Sequence, residues 1–204
     1  PVGMKADLKS ITTRTDGNDA LLIVKYTGAL DTVIWRMTPD GLLGMDALML
    51  SRGNGGKYKG EFFDKKVYQL GLTFSYPEKE AKGMRWLGRG PYRVWKNRIP
   101  GTNYGIWQKD YNNTITGESF ESLAYPEFKG YHANLYWATI ESDTAPFTVY
   151  SETDGIYLRV FTPQQPGQGT SEEDSMHPFP EGDISFLYDI PAMRSFKSIS
   201  EHGP

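Results

Sequence analysis

The sequence predicts an all-β protein, a large antiparallel β-sandwich with little helix. Hydrophobic residues recur with a period of two, turn-forming residues separate the recurring runs, and no window of about twelve residues shows a helical stripe. A period of two buries one face of a strand and leaves the other face wetter, which is typical of antiparallel strands.

The alternating runs extend from residue 20 to residue 190. They occupy residues 20–26, 33–37, 68–76, 133–137, 147–151, 156–161 and 184–190. Turn signals lie at residues 16–18, 53–56, 76–78 and 154–155. Because Asp154 and Gly155 separate two alternating runs, they predict the tip of a β-hairpin.

Two stretches, residues 89–125 and 162–182, show little alternation and predict long loops. Loops of that length in a compact domain are usually functional or disordered. Because no repeat or linker divides the chain, we expect a single β-sandwich domain over residues 1–204.

Composition excludes several classes of function. The 204 residues include 22 basic and 25 acidic side chains, and a net charge of -3 disfavours a nucleic-acid partner. The absence of cysteine excludes disulfides, thiolate metal sites and cysteine nucleophiles. Mean hydropathy is -0.53, and the apolar runs are far shorter than the roughly 20 residues of a membrane helix. We expect no membrane partner, and the compartment, periplasmic or cytoplasmic, stays open.

The most specific motif lies in residues 84–98. Trp86, Gly88, Gly90, Pro91 and Arg98 match the pattern W-x-G-x-G-P-x-E-x-Y-x-D-R. The segment resembles the C-terminal domain of bacterial β-galactosidases of glycoside hydrolase family 2, and the order of the remaining segments is similar over most of the chain. Residues 125–131 look like the P-x-E-N-G turn of that family.

The resemblance implies the supersandwich fold shared with galactose mutarotases. It also implies an accessory module, because the family's catalytic glutamates lie on a (β/α)8 barrel that this chain would not contain. We therefore expect a C-terminal fragment of a longer, multidomain glycoside hydrolase. Its expected partners are carbohydrate and the remaining domains of the parent enzyme, and it should need no cofactor or metal.

The chain departs from the family pattern at two places. Residues 93–98 read R-V-W-K-N-R where the family has E-N-Y-x-D-R, so acidic positions become basic or neutral. Residues 174–178 read D-S-M-H-P, with Met176 where the family's sugar-stacking tryptophan stands. These departures put galactoside specificity in doubt.

Aromatic, amide and cationic side chains are interleaved in the stretch after the motif. Aromatic faces stack on sugar C–H groups, and amide or guanidinium groups bond to hydroxyls. The carbohydrate-binding candidates are Trp95, Asn97, Arg98, Trp107, Tyr111, His132, Met176 and His177. A structural or interdomain role for the tryptophans stays open beside the sugar-facing role.

Gly88 and Gly90 are expected to adopt backbone conformations closed to other residues, and Pro91 to fix the next one. Trp95 and Arg98 would then project from a rigid turn. Arg98 is expected to anchor the loop through carbonyls or a carboxylate. Trp95 would be a sugar platform or a plug against the barrel, and its loss should leave the module folded.

Two other functions stay open. A freestanding aldose mutarotase would use His132 and His177, and a freestanding carbohydrate-binding module would use the aromatic stretch. The acidic pairs visible in the sequence, at residues 118 and 121 and at 172–174, fit solvated loops. We therefore predict no catalytic residue on this chain and no glycosidase activity from it alone.

Overall fold

The computed structural model describes residues 6–28, 30–49, 69–112, 128–163 and 179–192. Within these residues the chain forms twelve β-strands and two short 3-10 helices, which confirms the all-β prediction. No helix among them is both long and apolar enough to cross a membrane. The contacts divide the chain into two compact units, Pro1–Val67 and Tyr68–Pro204. The expected single domain stays a prediction.

The first unit is a four-stranded antiparallel meander in the order β1-β2-β3-β4. Its strands are β1 (Ala6–Asp16), β2 (Asp19–Gly28), β3 (Leu30–Met37) and β4 (Leu43–Met49). Gly17, with φ of 60°, closes the β1–β2 turn at the place that the turn signal predicted.

The two faces of this meander differ in chemistry. Register places Leu22 opposite Trp35 on one face, over which lies an open depression of about 960 Å³. On the other face, Arg36 forms ion pairs with Asp16 at 2.8 Å and with Asp19 at 2.6 Å.

The second unit contains two four-stranded antiparallel sheets. The β6 sheet has the order β10-β9-β6-β7, and the β12 sheet has the order β5-β12-β11-β8. Their strands are β5 (Leu70–Phe74), β6 (Gly83–Gly90), β7 (Asn103–Asp110), β8 (Gly130–His132), β9 (Trp137–Glu141), β10 (Phe147–Tyr150), β11 (Tyr157–Val160) and β12 (Ile184–Asp189). The 3-10 helices are Glu78–Glu80 and Lys96–Gly101.

The two sheets pack face to face around one hydrophobic cluster. Met84 and Trp86 of β6 meet Leu158 of β11 and Ile184 of β12 there, and all four are buried. The second unit is therefore an antiparallel sandwich, with side chains of both sheets in its core.

The predicted hairpin at Asp154 and Gly155 is wrong. Gly155 does sit in a turn, with φ of 76°, but β10 pairs with β9 whereas β11 pairs with β12 and β8. The turn carries the chain from one sheet to the other. The predicted strand at residues 133–137 is also displaced, because β9 begins only at Trp137.

Strand β7 lies inside residues 89–125, where the sequence predicted a loop. Its inward positions include Gly105, Trp107 and Lys109, whereas Tyr104 and Ile106 are exposed. The alternation of buried hydrophobic and exposed polar residues is therefore lost in β7. This is an edge strand that is held mainly by its pairing with β6.

Candidate functional site

The motif glycines belong to β6 and allow close packing. A Cβ on Gly88 would lie 2.9 Å from the Asn134 carbonyl oxygen, and one on Gly90 would lie 2.6 Å from the Trp107 ring. Neither glycine has a positive φ, so the expected reason for them is wrong. They are required because a side chain would collide with the backbone of residues 133–134 or with the Trp107 ring.

Residues 91–102 follow β6 and lie on the outer face of the β12 sheet. The Val94 amide donates to the Tyr131 carbonyl at 2.7 Å, and the Lys96 amide donates to the Pro191 carbonyl at 3.2 Å. Arg89 Nη1 donates to the Thr102 carbonyl at 3.3 Å. This segment, which we call the 91–102 loop, is therefore fixed at its middle and at its end.

Trp95 is the hydrophobic base of the 91–102 loop. It is 6% exposed, and its ring centroid lies 5.4 Å from that of Tyr131 and 5.6 Å from that of Phe179. Tyr131 and Phe179 stack at 4.9 Å. The expectation that Trp95 projects from the loop is wrong, because its ring completes a second core cluster outside the β12 sheet.

Asn97 and Arg98 lie on the 3-10 helix Lys96–Gly101, and both are exposed. The Arg98 amide donates to the Trp95 carbonyl at 2.8 Å, but its guanidinium has no hydrogen-bond partner within the described ranges. Within the described residues Arg89 is bonded to a loop carbonyl, that of Thr102, and the anchoring role of Arg98 stays a prediction. These two polar side chains are therefore presented outward on a packed base.

Trp107 and Tyr111 are held elsewhere in the sandwich. Trp107 stands opposite Trp86 in the ladder, and its Nε1 donates to the Gly88 carbonyl at 3.1 Å. The Tyr111 hydroxyl donates to Glu78 Oε1 at 2.8 Å. Burial, aided by the Glu78 carboxylate, raises the pKa of Tyr111 to about 12. Both rings therefore pack against the core between the two sheets, whereas Trp95 lies in the second cluster.

His132 is fully buried in the core between the sheets, its ring 4.9 Å from that of Trp86. Its Nε2 lies 3.2 Å from the Phe128 carbonyl oxygen, whereas its Nδ1 has no partner among the residues the structure describes. Tyr131, its neighbour in the chain, points to the opposite face of β8. The structure therefore does not bring His132 together with Trp95.

Met176 and His177 lie outside the described residues. Within the described ranges, no group of three or more His, Asp or Glu side chains could hold a metal ion.

A polar row on the outer face of the β12 sheet was not predicted from the sequence. Thr73, Ser185, Arg159 and Tyr131 occupy successive register positions across the β12 sheet. The sequence feature that pointed to this row was Arg159, which alternates with Tyr157 and Phe161 on one face of the run 156–161.

Arg159 is the centre of this row. It is fully buried, and donates from Nε to Ser185 Oγ at 3.0 Å, from Nη1 to Thr162 Oγ1 at 3.1 Å, and from Nη2 to the Glu181 carbonyl at 3.3 Å. All three acceptors are uncharged, and burial lowers the pKa of Arg159. The guanidinium thus connects β11 to β12, and it also holds Thr162 just after β11 and Glu181 just before β12.

The sequence of this chain matches a known protein family. A sequence model described as beta galactosidase small chain matches residues 4–176. The chain belongs to the β-galactosidase small-chain family. No curated protein matches it. The small-chain match includes the motif strand β6, the 91–102 loop and His132, so the resemblance inferred from the motif is confirmed.

The buried histidine predicts a pH-dependent stability for this small-chain domain. Burial lowers the pKa of His132 to about 4, whereas an unfolded histidine titrates near 6.5. The unfolded state therefore binds more protons as the pH falls from about 6.5 towards 4, and stability is lost over that range. At about pH 5 the loss from this group should be about 2 kcal/mol relative to neutral pH.

Urea unfolding at neutral pH and at about pH 5 checks this expectation. The loss of stability should be about 2 kcal/mol smaller in His132→Leu, because a leucine cannot bind a proton. The other titrating groups are common to both proteins and cancel. An equal loss in the two proteins would contradict the assignment.

Proposed function

We propose that this chain is a non-catalytic module of a β-galactosidase-like glycoside hydrolase. It packs on the catalytic barrel of the parent enzyme and contributes the 91–102 loop to carbohydrate binding. The observation that carries the proposal is the small-chain family match over residues 4–176.

The form of the 91–102 loop supports a role at a neighbouring sugar pocket. Its backbone is hydrogen bonded to the β12 sheet, and Trp95 packs beneath it. Asn97 and Arg98 are exposed above that base. Because the main chain of this loop is already held in place, binding a sugar at Asn97 and Arg98 would require ordering only their side chains.

The mutarotase alternative receives no such support. It would need His132 as an acid or base at the sugar, and His132 is fully buried with its Nε2 against the Phe128 carbonyl. Its second histidine, His177, lies outside the described residues.

Replacing Arg98 by alanine in the parent enzyme tests the proposal. KM for nitrophenyl β-galactoside should rise about tenfold, equivalent to about 1.4 kcal/mol, with unfolding unchanged because the side chain is exposed. Lys79→Ala is the matched control, an exposed cation on the other 3-10 helix, and should leave KM unchanged. The 204-residue chain alone should not hydrolyse the substrate.

Two outcomes would count against the module proposal. One is an Arg98→Ala enzyme with unaltered KM. The other is hydrolysis by the 204-residue chain alone that disappears when one of its acidic residues is changed.

A further inference from the structure

Aspartate is followed directly by glycine at three places in the chain, all of them within the described residues. The pairs are Asp16–Gly17, Asp40–Gly41 and Asp154–Gly155. A glycine amide is poorly shielded, because its residue has no side chain. Its nitrogen can attack the side-chain carboxyl of the preceding aspartate and close a five-membered succinimide ring. Which pair reacts depends on what holds the carboxyl and the amide in the folded protein.

The Asp40 pair is held at both reacting groups. The Asp40 carboxylate accepts a hydrogen bond from the Thr38 hydroxyl, and this bond lowers the pKa of Asp40. The Gly41 amide donates to the Thr38 carbonyl at 2.9 Å. An attack would break both hydrogen bonds, and it would start from the ionised carboxylate, which is the poorer electrophile.

The Asp16 pair is held at its carboxylate. Arg36 donates from Nη2 to Asp16 Oδ2 at 2.8 Å, and this hydrogen bond lowers the pKa of Asp16. The same guanidinium is bonded to Asp19 at 2.6 Å, so its own position is fixed by a second contact. The Asp16 carboxylate is therefore kept ionised and directed towards Arg36.

The Asp154 pair is held at neither group. Asp154 is exposed, and its carboxylate has no hydrogen bond or ion pair with any residue that the structure describes. The Gly155 amide has no hydrogen-bond acceptor among those residues either. A Cβ on Gly155 would meet no atom within 4 Å, so the ring has room to form. The other two glycines have similar room, so the freedom of both reacting groups is what distinguishes this pair.

We infer that Asp154 is a site of spontaneous isomerisation, at which aspartate converts to isoaspartate. The Gly155 nitrogen bonds to the side-chain carboxyl carbon of Asp154, and the carboxyl hydroxyl leaves as water with the amide proton. Water then opens the succinimide at the main-chain carbonyl carbon, so that the backbone runs through the former side chain. One water is released and one is consumed, and no other reactant is needed. The reaction is independent of the proposed function.

The product lengthens the connection between the two sheets of the second unit by one methylene. This connection is anchored on both sides. The Ser151 amide donates to the Tyr136 carbonyl at 2.8 Å, and the Ile156 carbonyl accepts from the Leu135 amide at 2.9 Å. Ile156 is also buried. Because the extra methylene must be accommodated between these anchors, the isomerised protein should melt at a lower temperature.

Peptide mapping of the 204-residue chain, aged in the folded state at neutral pH, tests the inference. Cleavage after lysine and arginine places the three pairs in different peptides. The asparagine–glycine pair at residues 54–55, outside the described residues, falls in a fourth peptide. Isoaspartate should form at Asp154 at least about tenfold faster than at Asp16 or Asp40, equivalent to a barrier lower by about 1.4 kcal/mol.

Two controls separate the effect of the fold from that of the local sequence. In the chain unfolded by urea the three pairs should react at similar rates, because the contacts that hold two of them are lost. Asp154→Glu keeps the charge, but glutamate would have to close a six-membered ring, so no isomerised product is expected at this position. The melting temperature of the original protein should fall as its isoaspartate content at Asp154 rises, whereas that of the aged variant should not.

Three results would overturn the inference. One is formation of isoaspartate at Asp154 no faster than at the other two pairs in the folded chain. Another is an advantage of Asp154 that persists unchanged in urea, which would assign it to the local sequence. Equal melting of the aged original protein and the aged Asp154→Glu protein would overturn the expected effect on the connection.

Discussion

Trp95→Ala is expected to destabilise the second unit by about 3–5 kcal/mol, the usual cost of removing a buried tryptophan. The ring fills the space between Tyr131 and Phe179 and is almost completely buried. Its removal leaves a cavity beneath the 91–102 loop. For a chain of this size the melting temperature should fall by roughly 6–20 °C, measured by circular dichroism.

Two further variants make the Trp95 result specific. Trp95→Phe keeps a ring against Tyr131 and should be clearly less destabilising than the alanine variant. Tyr188→Ala removes an exposed ring and should change stability by less than about 0.5 kcal/mol. A Trp95→Ala protein as stable as the original would show that the loop ring contributes no core packing.

Arg159→Ala should destabilise the second unit by about 2–5 kcal/mol, because it removes a fully buried side chain together with its hydrogen bonds. The substitution removes three hydrogen bonds and leaves Thr162 and the Glu181 carbonyl without their donor. It also opens a cavity in the middle of the β12 sheet. Urea unfolding followed by circular dichroism measures the effect.

Arg159→Met separates the charge from the packing. Methionine fills most of the volume and needs no solvation, and replacing a buried charge by an apolar side chain is often neutral or stabilising. This variant should therefore be at least about 1 kcal/mol more stable than Arg159→Ala. Arg98→Ala, which removes an exposed guanidinium, should be near neutral. Equal losses in the methionine and alanine variants would show that the hydrogen bonds alone account for the effect.

Strands with a period of two were predicted correctly even where the structure covers both of their faces. In β10, Phe147 and Val149 pack against the core whereas Thr148 and Tyr150 are exposed. In β12, Ile184 and Ser185 lie on opposite faces and both are buried. Such strands are visible because their period of two is a local property of the chain. The turn at Gly17 was visible for the same reason, since a positive φ favours glycine whatever surrounds it.

The strands that it missed or misassigned depend on partners distant in sequence. Strand β7 is an edge strand whose inward positions include a glycine and a lysine. The turn at Gly155 has the composition of a hairpin, but the strands on either side find partners in different sheets. Local composition determines that a chain turns, whereas the strands available in space decide what it then pairs with.

The sequence by itself determined the all-β class, and its motif indicated the β-galactosidase family, because spacing and residue type suffice for both. Only the tertiary structure decided where the motif's side chains lie. Trp95 is buried because Tyr131 and Phe179, 36 and 84 residues further along the chain, meet above the β12 sheet. Gly88 is required because the Asn134 backbone approaches it. His132 lies in the core and Tyr131 outside it because adjacent residues of a strand point to opposite faces, and only the packing of the two sheets selects which face is enclosed.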